Sequence, residues 1–101
     1  MKIKTAFIFA APEADSKIHR ATIDTPSVNI TVVGVKNYNE AVTVALDLVS
    51  QGITAIELCA GFGNEGIALI SKAVKGKAAV GAVKFDYHPG LNFKSGDEVF
   101  S

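Results

Sequence analysis

Apolar positions along the chain fall into four runs of strand character and two segments of helical spacing, with one polar connection between the first two strands. Lys2 to Ala10 carries Ile3, Phe7, Ile8 and Phe9, apolar on both faces as in a covered strand. Val28 to Val35 alternates Asn29 and Thr31 with Val28, Ile30 and Val32, a pattern that suits a half-solvated edge strand. Ile53 to Ala60 is nearly continuous in apolar residues and reads as a central strand; Ala78 to Tyr87 reads as the last. Between the second and third strands, Ala41, Val44, Ala45, Leu48 and Val49 make one helical face. Asn37 is placed to cap that helix, Glu40 follows three residues on as in a capping box, and Gly52 lies past its end. A second helix is expected over about Asn64 to Lys75, with Ile67, Ile70 and Val74 inward, Lys72 and Lys75 near the negative helix end, and Gly76 as terminator. The polar stretch Pro12 to Pro26 predicts a short helix around Ser16 to Ile23, and the tail from Pro89 to Ser101 shows little regular pattern.

Strands alternating with helices imply a parallel sheet with right-handed crossovers. The expected architecture is a single α/β domain over residues 1–101. It has a small, mostly parallel four-stranded sheet with flanking helices, in the flavodoxin-like order 2-1-3-4. The alternative is a ferredoxin-like α+β sheet, whose antiparallel strands send the polar groups to opposite ends. In the favoured order the switch point lies between the first and third strands, where Ala10-Ala11-Pro12 faces Cys59-Ala60-Gly61.

Composition narrows the function classes. The chain has 101 residues, 49% of them apolar, which matches one modest core. Formal net charge is zero and no basic stripe occurs, so nucleic acid is not an expected partner. The run Thr5 to Ala11 after Met1-Lys2-Ile3-Lys4 resembles a miniature signal peptide, but Pro12 and Glu13 cut it at seven residues, and a strand is the better reading. No apolar stretch approaches the ~20 residues that span a bilayer. The single cysteine, Cys59, excludes an internal disulfide and fits a reducing cytoplasm.

Four segments are distinctive: A-F-I-F-A-A-P-E-A-D, K-I-H-R-A-T-I-D-T-P, I-E-L-C-A-G-F-G-N-E-G and F-D-Y-H-P-G-L-N-F-K-S-G-D-E. Over nearly its whole length the chain resembles a family of small prokaryotic proteins of unknown function. The resemblance implies a single-domain architecture and transfers no catalytic residue.

The residues that carry chemistry cluster from Glu57 to His88. Gly61, Gly63 and Gly66 spell G-x-G-x-x-G between a strand and a helix, with Asp86 at the end of the next strand, the outline of a dinucleotide fingerprint. Ile70, where close packing wants a small residue, and the short chain count against that reading. The N–H groups at Gly63, Asn64 and Glu65, with the positive helix end, offer a cradle for phosphate or carboxylate, although Glu65 partly fills it. The bland reading is a tight turn that needs glycine.

Alternation puts Ala55, Glu57 and Cys59 on one face of the third strand, and Val80, Ala82, Lys84, Asp86 and His88 on one face of the fourth. If those faces match, Glu57 and Lys84 pair beside Cys59, an arrangement suited to proton transfer or to an amine nucleophile. A structural ion pair at the sheet rim is the competing reading. Cys59 is a nucleophile if His19 or His88 activates it, and otherwise a small core residue. Glu57, Cys59, Asp86, His19 and His88 are metal-ligating types, but no H-x-x-x-H, C-x-x-C or H-x-H spacing occurs, so no metal site is assigned. His19-Arg20 is placed to fold over the site and hold an anion with the guanidinium fork, or to be an ordinary solvated face.

Two function classes follow. One is a small enzyme of lyase or isomerase type acting on an anionic metabolite, with Glu57 or Asp86 as base or acid, Lys84 as charge stabiliser, and Gly61–Gly66 as anion binder. The other is a non-catalytic binding or assembly module. No cofactor is specified. The apolar tail residues Leu91, Phe93, Val99 and Phe100, and the two edges of a small sheet, lead us to expect a homo-oligomer.

Overall fold

A computed structural model describes residues 2–101. In chain order its elements are β1 (Ile3–Ala10), β2 (Arg20–Asp24), β3 (Val28–Val35), α1 (Tyr38–Ser50), β4 (Ala55–Leu58), α2 (Asn64–Ala73), β5 (Ala79–Ala82) and α3 (Gly96–Phe100), with a 3₁₀ turn at Pro89–Leu91 before α3. The strands form one sheet in the order β2-β3-β1-β4-β5, antiparallel at β2–β3 and parallel at every other pair. The fold is therefore α/β, and its four parallel strands stand in the order 2-1-3-4.

The fifth strand corrects the expected helix around Ser16 to Ile23. Ala21, Thr22 and Ile23 alternate and include two β-branched residues, which favour a pleated surface. A hairpin turn fixes them: Thr25 N and Oγ1 donate to Val28 O, both at 2.8 Å, and Val28 N donates to Thr25 Oγ1 at 2.9 Å. β3 is consequently not an edge, because β2 lies outside it. The last strand is shorter than expected. β4 ends at Leu58 and turns away, so the chain leaves the sheet after Val83, whose N–H reaches Leu58 O; further on, His88 makes an isolated antiparallel bridge with Lys94. In the tail, α3 starts at the capping box of Ser95 and Glu98.

The caps and stripes of α1 follow the pattern closely. Asn37 Oδ1 accepts from Glu40 N at 2.9 Å, and the Glu40 carboxylate reaches one residue further back than in a standard box, to Lys36 N at 2.8 Å. Both βαβ crossovers step in the same direction across the sheet, so the right-handed rule puts α1 and α2 on one face. Burial agrees with this: Ala6, Ile8, Val33, Val35, Ile56 and Leu58, all on that face by register, are fully or almost fully buried against Ala41, Ala45, Leu48, Ile70, Val74 and Phe100. The opposite face carries Phe7, Phe9, Ile30, Val32, Ala55 and Glu57, and no helix of the described residues lies over it.

Candidate functional site

All the sequence-nominated groups lie towards the carboxyl ends of the parallel strands, but they do not form one cluster. Glu57 is exposed on the helix-free face, paired in register with Gly81. That register corrects the expected Glu57–Lys84 pair. The neighbours of Glu57 are Ala79, Gly81 and Val83 by parity, and Lys84 belongs to the opposite alternation. Lys84 instead pairs with Asp86, two residues on and largely exposed. His88 caps the 3₁₀ turn, its Nδ1 accepting from Gly90 N at 2.9 Å, with its ring 5.0 Å from that of Phe85. At the switch point, Cys59 Sγ accepts from Gly61 N at 3.2 Å and Ala10 N at 3.4 Å, tying the β4 turn to the end of β1.

The glycine loop is occupied from within the chain. Asp97 of α3 accepts from Glu65 N at 3.0 Å, Gly66 N at 3.1 Å and Tyr38 Oη at 2.8 Å. Gly63 N in turn donates to Tyr38 Oη at 3.0 Å. Asp97 therefore sits where the unpaired amides and positive end of α2 favour a negative charge. Burial raises its carboxyl, yet the bonds from Glu65 N, Tyr38 and Gly66 N, with the charge of Lys84, outweigh that and hold it below the usual carboxylate range. Burial, together with the Asp97 charge, pushes the Tyr38 phenol well above its ordinary value. Close approach accounts for the glycines: a Cβ on Gly63 would lie 2.5 Å from the Asp97 carboxylate, and one on Gly66 would lie 2.5 Å from the Tyr38 ring. Of the nominated cradle, Asn64 stays exposed and Gly61 is buried beneath the loop.

A second region gathers at the start of β2. Because β2 runs antiparallel, its first residues lie beside the carboxyl ends of β1 and β3. There Phe9, Ile18, His19, Arg20, Ala21 and Val32 line a cavity of about 320 Å³. An adjoining one of about 230 Å³ shares Phe9 and His19 and is completed by the loop from Ala11 to Ala14. The His19 backbone is fixed by Gly34 N to His19 O at 2.8 Å. Its ring is fixed by Asp15 N donating to Nδ1 at 2.9 Å. With Nδ1 accepting, the neutral ring carries its proton on Nε2, which is then a donor. Arg20 also borders this cavity, but its register with Val33 turns its side chain towards the helix side of β2, where Nε donates to Ser16 O at 2.8 Å and the terminal nitrogens remain as further donors. Phe9 lies flat across β3 because Gly34 has no side chain; a Cβ there would come 2.6 Å from Phe9 Cζ. Glu13, in the left-handed region at φ 62°, lines the outer cavity.

Sequence reasoning nominated His19 and Arg20 but missed Phe9, Tyr38 and Asp97. Phe9 reads as one more core residue in an apolar run. The Ser95-x-x-Glu98 capping box was the available signal for a helix that carries Asp97, but its contact with Gly66 spans 31 positions and leaves no local trace.

No helix of the described residues is long and apolar enough to cross a membrane, and among those residues no three His, Cys, Asp or Glu side chains converge as metal ligands do. No curated protein and no solved structure matches the chain. A family model does match, over residues 3–98, and the chain belongs to that family, described as a family of unknown function (DUF6506).

Proposed function

We propose that the protein binds a small anionic molecule with an apolar body at the carboxyl end of its sheet, in the cavity lined by Phe9, His19 and Arg20. The observation that carries this reading is the His19 ring, held by Asp15 N so that its Nε2–H is a donor, beside Arg20 in a cavity otherwise walled by Phe9, Ile18, Ala21 and Val32. Donors without a matching acceptor select an electron-rich group, and the apolar walls select an aromatic or aliphatic body. Glu13 on the outer side repels anions there and confines the charged end of the ligand to the Arg20 side.

Binding rather than turnover is proposed because the groups a lyase or isomerase needs are apart: Lys84 is spent on Asp86, and register separates it from Glu57. The glycine loop is a poorer place for the anion, since Asp97 already uses its amides. Calorimetric titration with benzoate, hexanoate and inorganic phosphate tests the proposal. Benzoate and hexanoate are expected to bind and phosphate to bind more weakly. Arg20→Gln should weaken benzoate by about 10-fold or more, as a charged hydrogen bond contributes about 1.5–3 kcal/mol. Equal binding by wild type and Arg20→Gln, or no binding of either carboxylate, rejects it.

A further inference from the structure

We infer that the helix-free face of the sheet is covered by a second copy of this chain, sheet against sheet. A sheet face that meets water ordinarily alternates to polar residues. Here that face presents Phe7, Phe9, Ile30, Val32, Ile23 and Ala55, in register across four strands, with Thr5 and Glu57 as its polar interruptions. Ile3 and Ile23 on it are 54% and 58% exposed, an arrangement that marks an interaction surface.

Three observations select a second copy over another occupant. The first is area. Strands about 4.8 Å apart rising about 3.3 Å per residue give the sheet, with β5 and its Ala79 and Gly81 included, a projected face of about 450–500 Å². Side-chain relief and the flanking Ile18 bring it to the order of the ~600 Å² per partner at which specific interfaces begin. The second is shape. The face is continuous across the whole sheet, and a like sheet packed at about −30° covers it, whereas a single helix covers one stripe. The third is charge. The chain has zero formal net charge, so two copies approach without net repulsion. Phe9 and Val32 belong both to this face and to the ligand cavity, so the second copy borders that cavity. The inference does not depend on ligand binding.

Sedimentation equilibrium of the full chain from about 1 to 100 µM, where specific interfaces of this size are populated, tests it. The expected result is a dimer for wild type and a monomer with an unchanged circular dichroism spectrum for Phe7→Lys. Should Phe7→Lys fail to fold, Ile23→Lys decides, because that side chain is already mostly exposed; it should raise the dimer dissociation constant about 10-fold or more. A wild-type monomer at 100 µM overturns the inference, and co-sedimentation of that monomer with phosphatidylcholine vesicles would assign the face to a lipid surface. A dimer that both lysine variants leave intact also overturns it and moves the interface to the strand edges or the tail.

Discussion

Replacing Asp97 by asparagine keeps its shape and removes the charge that Glu65 N and Gly66 N serve, so Asp97→Asn should destabilise the fold by about 1–2 kcal/mol at pH 7, discounted for partial exposure. The pH dependence has a definite sign. A carboxyl held below its unfolded value of about 3.9 contributes stability that is complete above that value and is lost as pH falls through the folded value. The difference in melting temperature between wild type and Asp97→Asn should therefore be full above about pH 5 and shrink below about pH 4. A difference that stays constant down to pH 2 removes Asp97 from the account. Gly66→Ala tests the same contact from the other side. Its Cβ meets the stacked Tyr38 ring, which lies 5.4 Å from Phe62, so a loss of about 1–3 kcal/mol in denaturant titration is expected.

Among the elements, α3 has the most to lose from one side chain. Its Phe100 is buried among core residues although it lies next to the last residue. Phe100→Ala should cost about 3–5 kcal/mol, a large fraction of the stability of a domain this size, and is read by urea unfolding. A cost below about 1 kcal/mol would mean that the tail packs only loosely. The elements legible in the sequence were those whose signal is local. The α1 stripe at Ala41, Val44, Ala45 and Leu48 and the four apolar runs of the parallel strands repeat at fixed periods, so they need no distant partner to be recognised. β2 failed that test, because Arg20 to Asp24 is short, exposed at every position and defined by pairing with β3 and by the Thr25 turn. The reach of Asp97 to Tyr38, across 59 positions, had no periodic signature at all. His19 and Arg20 were legible as donors, whereas the orientation of the His19 ring depends on a bond from Asp15 that composition does not reveal.

The whole molecule is a two-layer α/β sheet with helices on one face, a tail that seals the α2 N-terminus, and an apolar face without a layer of its own. Those features divide the carboxyl edge into two environments. On the helix side the anion position is filled by Asp97 and is structural; on the open side, Phe9, His19, Ala21 and Val32 line a cavity that Arg20 borders. Gly34→Ala links architecture to site. By lifting the Phe9 ring it should weaken benzoate binding with little loss of helix content, which titration and circular dichroism read separately. The most direct measurement for the molecule as a whole is an amide NMR titration of the ¹⁵N-labelled chain with benzoate. Saturable shifts centred on Phe9, His19, Ala21 and Val32 are the predicted result. Shifts centred on Gly63, Glu65 and Gly66 would contradict the account, because they would mean that the ligand displaces Asp97 from the glycine loop.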